Sequence, residues 1–413
     1  MEHCNALFPT ILPNVIRALV VSYLDEDNYM ANQLRKECID VVIKDTRNNC
    51  TYKNGALHSF NDYPAKILDT TEEKNNPDFP DEQNEQYYIK HTWYNYGCKH
   101  RSDDNPAEVY YYKNKQIHIQ KWYQNNYLHR TNDKPSIIYY YKNNVIKHIR
   151  WHIEGQLHRE EPNPAEITYY LNGKIDNETF YINGTRHRVN DRPAEIYYYQ
   201  SGKINSLAWY QNGLLHRDKN PAEICFDEDE KISKEYWFTY GNLHRENDQP
   251  AITYYFRNGH IYKLTWYQNG YLHREGNHPA KVKFNQDGTL IHTTYFKNGQ
   301  LHREGDLPAE TIYYNDEMGR IHSNIWAING KYHRTDDKPA EIIYYPNPNN
   351  TIKYKAWFQN GKRYRDGIQP LEIKYEPNGN IITDGNIITD GNIITDGTIP
   401  FYEEVYYTDD YND

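Results

Sequence analysis

Apolar and polar residues alternate in two kinds of segment that recur along the chain. In the first, PAEITYYLNGKIDNETF, Ile167 and Tyr169 alternate with polar residues, which is the period-two pattern of a β-strand. Asn172-Gly173 then predicts a two-residue turn that places Tyr170 opposite Ile175. We expect the side of the strand that carries Ala, Ile and Tyr to be buried.

The second kind of segment is a shorter hairpin, WYQNGLLHRDKNPA, which runs from Trp209 to Ala222. Its Asn212-Gly213 dipeptide is a strong hairpin signal, because a type I′ turn needs φ > 0 at both central residues. A turn centred there pairs Tyr210 with Leu215 and Trp209 with His216. The indole and the imidazole are therefore predicted to be cross-strand neighbours.

Copies of both segments recur at intervals of 28 to 31 residues, and three columns mark them. The aromatic column is Trp93, Trp122, Trp151, Phe180, Trp209, Trp237, Trp266, Tyr295, Trp326 and Trp357. The column seven residues later is His100, His129, His158, His187, His216, His244, His273, His302, His333 and Tyr364. A Pro follows five or six residues after each member of that column, so ten full copies are present. His58 marks an eleventh copy in which Thr51 replaces the aromatic residue.

These patterns predict a mostly β protein, an elongated antiparallel β-hairpin repeat array with a small α-helical N-terminal cap. A closed barrel or a propeller is the alternative architecture. The predicted cap covers residues 1–45, with helices from Leu12 to Asn28 and from Ala31 to Ile43. The array covers 51–378, with an acidic insertion at about 69–85. Residues 379–413 contain three GNIITD hexads and an acidic tail, which we expect to be loosely ordered.

Composition narrows the function classes. The 413 residues carry a net charge of −10, from 47 Lys and Arg against 57 Asp and Glu, which argues against a nucleic-acid-binding protein. The mean hydropathy of −1.03 is too polar for one large core. The sequence holds no apolar run long enough to span a membrane. Five Cys without repeat spacing and an N-terminus without a basic segment predict a reducing compartment, the cytoplasm.

The His column is the obvious candidate for chemistry. Neighbouring His residues are separated by two or three strands, or roughly 10–14 Å, so they cannot share one metal ion. The Arg that follows each His is expected on the opposite face of the hairpin, where an Asp column could pair with it in a structural ladder. That Asp column is Asp104, Asp133, Asp191, Asp248, Asp306 and Asp337. We expect no catalytic, cofactor-binding or metal-binding residues, because no acid, base and nucleophile converge.

The segment LPNVIRALVVSYLDEDN resembles the opening helix of an F-box, with Leu-Pro, an apolar helix, then Tyr-Leu and acidic residues. The match covers about thirty residues and lacks the third helix and the Trp that the family has there. The resemblance implies docking to a Skp1-type adaptor of a cullin ubiquitin ligase. The residues that would make this contact are Leu12, Pro13, Ile16, Leu19, Tyr23 and Leu24.

The array resembles MORN-type repeats, particularly the Trp-Tyr-x-Asn-Gly hairpin variant of bacterial antitoxin-like proteins and large DNA viruses. The resemblance spans roughly residues 51–380, although the 29-residue period is longer than the usual unit. With both features, the chain resembles giant-virus proteins that act on host ubiquitination in the host cytoplasm. They predict a non-catalytic repeat interaction protein, and further an F-box-type adaptor that recruits an unknown target. The alternative is a scaffold protein whose N-terminal helices only cap the sheet.

Overall fold

A computed structural model describes residues 19–22, 41–45, 50–69, 89–316, 318–367 and 369–382, the first two ranges and Asp69 by their backbone alone. The chain divides into two compact units. The first comprises Met1–Tyr262 with Tyr267–Gly270, and the second comprises Lys263–Trp266 with Tyr271–Asp413. The described residues are strands and turns, without a helix. The mostly β, antiparallel hairpin architecture predicted from the sequence is thereby confirmed.

Each repeat supplies a first strand, a second strand that pairs with it, and a short hairpin. The first strands of the first unit are Lys66–Asp69, Glu108–Tyr111, Ile137–Tyr140, Glu166–Tyr169, Glu195–Tyr198, Glu223–Phe226 and Ile252–Tyr255. Those of the second unit are Lys281–Phe284, Glu310–Tyr313, Glu341–Tyr344 and Glu372–Lys374. The second strands of the first unit are Ile89–Thr92, Ile117–Lys121, Ile146–Arg150, Ile175–Thr179, Ile204–Ala208 and Ile232–Tyr236. Ile261–Thr265 is divided between the units, and Leu290–Thr294, Ile321–Ile325 and Ile352–Ala356 lie in the second.

The short hairpins form where the Trp-Tyr-x-Asn-Gly pattern predicts them. In the first unit they are Cys50–Lys53 with Ala56–Leu57, Tyr94–Asn95 with Cys98–Lys99, Tyr123–Gln124 with Tyr127–Leu128, His152–Ile153 with Gln156–Leu157, Tyr181–Ile182 with Thr185–Arg186, Tyr210–Gln211 with Leu214–Leu215, and Phe238–Thr239 with Asn242–Leu243. Tyr267–Gln268 and Tyr271–Leu272 fall on either side of the division. The second unit has Phe296–Lys297 with Gln300–Leu301, Ala327–Ile328 with Lys331–Tyr332, and Phe358–Gln359 with Lys362–Arg363. The hairpin that contains Thr51 confirms the eleventh, degraded copy.

The long strands form an antiparallel meander within each unit. In the first unit, Ile167 of a first strand pairs with Glu178 of its own second strand, and Glu178 pairs with Ile196 of the next repeat. In the second unit, Ile342 pairs in the same way with Lys355, and Lys355 pairs with Ile373. Each repeat therefore adds two strands to the sheet of its unit.

The turn of the long hairpin differs from the prediction. The amide of Gly173 donates to Tyr170 O at 2.9 Å and the amide of Tyr170 donates to Lys174 O at 2.9 Å, so the loop has three residues. Only Gly173 has a positive φ, +82°, as in a type I turn that ends in a bulge. Ile175 consequently pairs with Tyr169 and not with Tyr170. The Asn172 side chain supports this wider turn, because its Oδ1 accepts from the Lys174 amide at 3.0 Å. Ser201-Gly202 closes the same three-residue loop without an Asn.

The turn of the short hairpin is as predicted. Asn212 and Gly213 have φ values of +51° and +80°, the left-handed pair of a type I′ turn. Tyr210 pairs with Leu215, and the His216 amide donates to Trp209 O at 3.0 Å. The predicted register is therefore confirmed.

The N-terminal helices are not shown. Leu19–Ser22 is a strand that pairs in parallel with Val41–Asp45, which in turn pairs antiparallel with Cys50–Lys53. The helix prediction is wrong for these residues, because a run of β-branched residues in each segment favours a strand over a helix. The remainder of both predicted helices lies outside the described residues, as do residues 70–88 of the acidic insertion and 383–413 of the tail. Gly379 to Ile382 belong to a last hairpin, in which Tyr375 pairs with Ile381.

Candidate functional site

One face of the long strands, here called the aromatic face, carries the second and fourth residues of each first strand. In the first unit, Ile149, Trp151 and Ile167 form a buried cluster on this face, and Tyr169 and Ile175 pack against it while half-exposed. In the second unit, Trp326 and Ile342 form the matching cluster with the half-exposed Tyr344 and Ile352. The predicted burial of the Ala-Ile-Tyr side is thus correct for Ala and Ile and only half correct for Tyr.

The fourth position of the first strand is aromatic in every full copy. The row in the first unit is Tyr111, Tyr140, Tyr169, Tyr198, Phe226 and Tyr255. The row in the second unit is Phe284, Tyr313 and Tyr344, followed by Tyr375 just after the last first strand. All these side chains are half-exposed. The neighbouring row, at the start of each second strand, is Ile or Leu throughout, and Ile204 and Ile232 are 36% and 39% exposed. These two rows form an apolar stripe of partly exposed side chains.

Some tyrosines of the row have a carboxylate partner on the neighbouring strand. The Tyr198 hydroxyl donates to Glu178 at 2.7 Å, and the Tyr255 hydroxyl donates to Glu235 at 2.8 Å. Burial, together with this carboxylate, raises the pKa of Tyr198 well above its ordinary value, so the hydroxyl stays protonated. Phe226 has the apolar Leu207 on the neighbouring strand, and Tyr169 has Ile149 there.

The opposite face, here called the hairpin face, is covered by the short hairpins. Glu195 lies there, 5% exposed, and accepts from the Tyr210 hydroxyl at 2.9 Å and from Arg186 at 3.1 Å. Leu128 of another short hairpin packs against Tyr110 in the same layer. The first-strand Glu residues are therefore held between sheet and hairpin, away from a ligand on the aromatic face.

Burial changes the acidity of two carboxyls on the hairpin face that form no ion pair among the described residues. Glu223 and Glu341 occupy the Glu195 position in other copies, and burial raises the pKa of each above its ordinary value. The last residue of the short hairpin is the cation in three copies, at Lys99, Arg186 and Arg363, whereas these two copies have Leu215 and Tyr332 at that position. This difference arises within the repeat packing and implies no catalysis.

The Arg column contacts the Trp column, which corrects the predicted placement on the opposite face. Arg217 lies with its guanidinium carbon 3.8 Å from the Trp209 ring centroid, and both its Nε and Nη2 donate to Asp191 at 2.8 Å. The Trp209 indole donates to Asp191 O at 3.0 Å. After His216 the chain leaves the strand and turns back, which carries Arg217 over the indole. The predicted Arg–Asp ladder itself is confirmed, for example by Arg130 with Asp104 and Arg334 with Asp306.

The turn that positions the Asp of this ladder was not predicted from the sequence. Asn190 and Asp191 both have positive φ, +61° and +51°, so the loop contains a second left-handed turn. Asn and Asp tolerate this region better than other residues with a side chain. The signal was the Asn-Asp or Asp-Asp dipeptide before each Pro, which recurs in several copies.

The His column links neighbouring short hairpins. His216 Nδ1 accepts from the Tyr240 amide at 3.3 Å, its Nε2 lies 3.0 Å from Asp218, and its ring stacks on Tyr240 with centroids 4.2 Å apart. His158 accepts in the same way from the Asn183 amide at 3.2 Å. An acceptor role for Nδ1 places the proton on Nε2. The ring partner of His216 is thus Tyr240 and not the predicted Trp209.

No group of three or more His, Cys, Asp or Glu within the described ranges is placed to hold a metal ion. Among the same residues, no helix is long and apolar enough to cross a membrane. Of the residues predicted to bind a Skp1-type partner, Leu19 begins a strand. Leu12, Pro13, Ile16, Tyr23 and Leu24 lie outside the described residues.

No protein-family model and no curated protein matches the chain. Among solved structures it is similar to the crystal structures of TcdB2-TccC3-TEV, TcdB2-TccC3-Cdc42 and TcdB2-TccC3, at 10%, 12% and 9% sequence identity and a TM-score of 0.12 in each case. The matches cover 72%, 72% and 71% of this chain but only 22%, 16% and 17% of the solved chains. A TM-score this low carries no argument about fold or function.

Proposed function

We propose that this chain is a non-catalytic repeat interaction protein that holds a protein partner on its aromatic face. The observation that carries the proposal is the row of half-exposed Tyr and Phe at the fourth position of every first strand, beside a row of half-exposed Ile and Leu. A contiguous apolar stripe of this kind on a protein surface marks an interaction site. Aromatic residues are also the side chains that contribute most to protein interfaces.

The remaining repeated polar side chains support the proposal because they have structural partners. Arg217 is held by Asp191 and Trp209, and His216 is held by Asp218 and the next hairpin. The aromatic row has no comparable task on its outer surface. A binding function therefore accounts for the uniformity of this row better than repeat packing does.

The test is quantitative affinity capture with the full chain. Ile204→Lys with Ile232→Lys places two charges on the aromatic face at positions more than one-third exposed, where folding tolerates them. The matched control is Leu171→Lys with Leu214→Lys, at a hairpin turn and at the start of a short-hairpin strand, where the side chains are 60% and 47% exposed. We expect at least one protein whose retention falls by about tenfold with the first variant and is unchanged with the control. If no retained protein depends on the aromatic face, the alternative of a scaffold without a bound partner is correct.

The finer proposal, an F-box-type adaptor for a Skp1-type partner, rests on the residue pattern from Leu12 to Leu24 alone. Its helix would include Leu19, which begins a strand here. Binding of a purified Skp1 homologue to the wild type and to Leu19→Asp with Leu24→Asp tests it directly. Binding lost in the variant supports the adaptor, and absence of binding to the wild type excludes it.

The MORN-type relationship, the giant-virus origin and the cytoplasmic location stay predictions. They follow from the resemblance of the hairpin motif and from composition. The proposed binding function does not depend on them, because it rests on the chemistry of the aromatic face.

A further inference from the structure

We propose that the segment bound on the aromatic face is a proline-rich stretch of the partner in the polyproline II conformation. The segment lies across the strands and places one of its turns over each repeat. This inference rests on the proposed binding function and specifies the chemistry of the partner.

The distance between successive repeats matches the length of one polyproline II turn. Each repeat adds two paired strands, as the pairing of Ile167 with Glu178 and of Glu178 with Ile196 shows. Since neighbouring strands lie about 4.7–4.9 Å apart, successive aromatic rings of the row are separated by about 9.4–9.8 Å. A polyproline II helix has three residues per turn and rises about 3.1 Å per residue, which gives about 9.3 Å per turn. The mismatch is roughly 0.1–0.5 Å per repeat, so three or four repeats can be followed in register.

Other regular peptide conformations do not match this spacing. A ligand helix has a pitch of about 5.4 Å, and a ligand strand returns to the same face after about 6.4–6.8 Å. Neither period equals the distance between adjacent rings. Only the threefold helix presents an equivalent side chain to every repeat.

The aromatic face has hydrogen-bond donors that suit a ligand rich in acceptors. Proline has no amide hydrogen, and a polyproline II segment has no internal hydrogen bonds, so such a ligand offers its carbonyl oxygens as acceptors. The aromatic face supplies donors. Among the hydrogen bonds of the described residues, the hydroxyls of Tyr111, Tyr169, Tyr313 and Tyr344 donate to no protein acceptor, although these side chains are half-exposed on the row. Each can donate to a ligand carbonyl while its ring contacts a proline ring.

The surface of the aromatic face is concave at one place between repeats. A depression of about 410 Å³ lies between two successive repeats of the first unit. Its lining from the aromatic face is Ile117, Gln120 and Tyr140, and the adjacent turns contribute Lys115, Gln116 and Asn144. Proline-rich ligands bind in shallow grooves with aromatic side chains, and at this depression the Tyr140 ring lies beside Ile117. The depression therefore offers one ring and one aliphatic side chain to a narrow ligand helix.

The experiment is fluorescence anisotropy with labelled oligoprolines and the full chain. Peptides of about 6, 9 and 12 residues span two, three and four turns, and Gly-Ser peptides of equal length are the control. We expect oligoproline to bind and its affinity to rise by about threefold for each added turn, since each turn engages a further repeat. Ile204→Lys with Ile232→Lys should remove binding, and Leu171→Lys with Leu214→Lys should leave it unchanged. Tyr169→Phe, which keeps the ring and removes the donor, should weaken binding less than Tyr169→Ala.

Three outcomes overturn the inference. Oligoproline that binds no better than the Gly-Ser control overturns the inference. If a partner from cell extract still depends on the aromatic face in that case, the proposed function stands. Sedimentation that shows a second copy of this chain on the face, removed by Ile204→Lys with Ile232→Lys, identifies a homodimer surface. Binding of a soluble β-linked glucan oligosaccharide to the same face, without oligoproline binding, identifies a carbohydrate site and contradicts the proposed protein partner as well.

Discussion

The guanidinium of Arg217 covers the ring of Trp209, with 3.8 Å between its central carbon and the ring centroid. The same guanidinium reaches Asp191 of the preceding repeat through two hydrogen bonds of 2.8 Å. One side chain thus joins a ring of its own repeat to a loop of the previous one. The array is stabilised by this link between neighbours, because a repeat protein has no single core.

Replacing Arg217 by Lys tests this link. Lys keeps the positive charge but loses the planar fork and the stacked contact, so we expect Arg217→Lys to lower the free energy of unfolding by about 1 kcal/mol. The comparison variant is Lys219→Ala, an exposed residue of the same loop, which should change it by less than about 0.5 kcal/mol. Urea unfolding followed by tryptophan fluorescence measures both. A Lys variant as stable as the wild type would mean that only the charge matters.

His216 offers a test of the contacts between short hairpins. Its Nδ1 accepts from the Tyr240 amide, and the Oδ1 of an Asn side chain can occupy a similar position. We expect His216→Ala to cost about 1–2 kcal/mol and His216→Asn to cost less, because only the Ala variant leaves that amide without an acceptor. Neither substitution should affect binding to the aromatic face. Equal losses for Ala and Asn would show that the ring stacking, and not the acceptor, is what matters.

One copy of the repeat carries a pH-sensitive pair. His152 is 8% exposed and its Nδ1 lies 2.8 Å from Ser136 Oγ, where most copies have an aromatic residue and an Ala. Burial lowers the pKa of His152 to about 4. Because the unfolded chain binds a proton near pH 6.5 and the folded one only near pH 4, this group destabilises the fold progressively as pH falls from about 6.5 to 4.

The variant Ser136→Ala with His152→Tyr restores the pair found in other copies, such as Ala165 with Tyr181. We expect its advantage in unfolding free energy over the wild type to grow by on the order of 2–3 kcal/mol between pH 6.5 and 4, and to stay constant below pH 4. Urea unfolding of both proteins across this range measures the difference. A constant difference from pH 7 to 4 would contradict the assigned burial of the imidazole.

The same dipeptide shows how far the sequence predicts the fold. Asn212-Gly213 forms the expected type I′ turn, whereas Asn172-Gly173 ends a three-residue loop. The second result could not be read from the dipeptide, because the same two residues close both kinds of loop. Periodicity was sufficient to place the strands but not to set the length of each turn.

The candidate site was predictable only in part. The columns of Trp, His and Pro were visible in the sequence, and so was the Arg–Asp pairing. The alternation also placed Ile167 and Tyr169 on one side, but that side was expected to be buried, and the half-exposure of its Tyr row was not predicted. The pairing register places the adjacent Tyr197 and Tyr198 on opposite faces, and only Tyr198 belongs to that row.

These two adjacent tyrosines provide the most direct test of the account. Hydroxyl-radical footprinting, read by mass spectrometry, compares the free chain with the chain bound to a partner that it retains. Tyr197 is 40% exposed on the hairpin face, and Tyr198 is half-exposed on the aromatic face. We predict that the partner protects Tyr198 and Ile204 from oxidation and leaves Tyr197 unprotected. Protection of Tyr197 with continued oxidation of Tyr198 and Ile204 would place the partner on the other face and contradict the proposed binding surface.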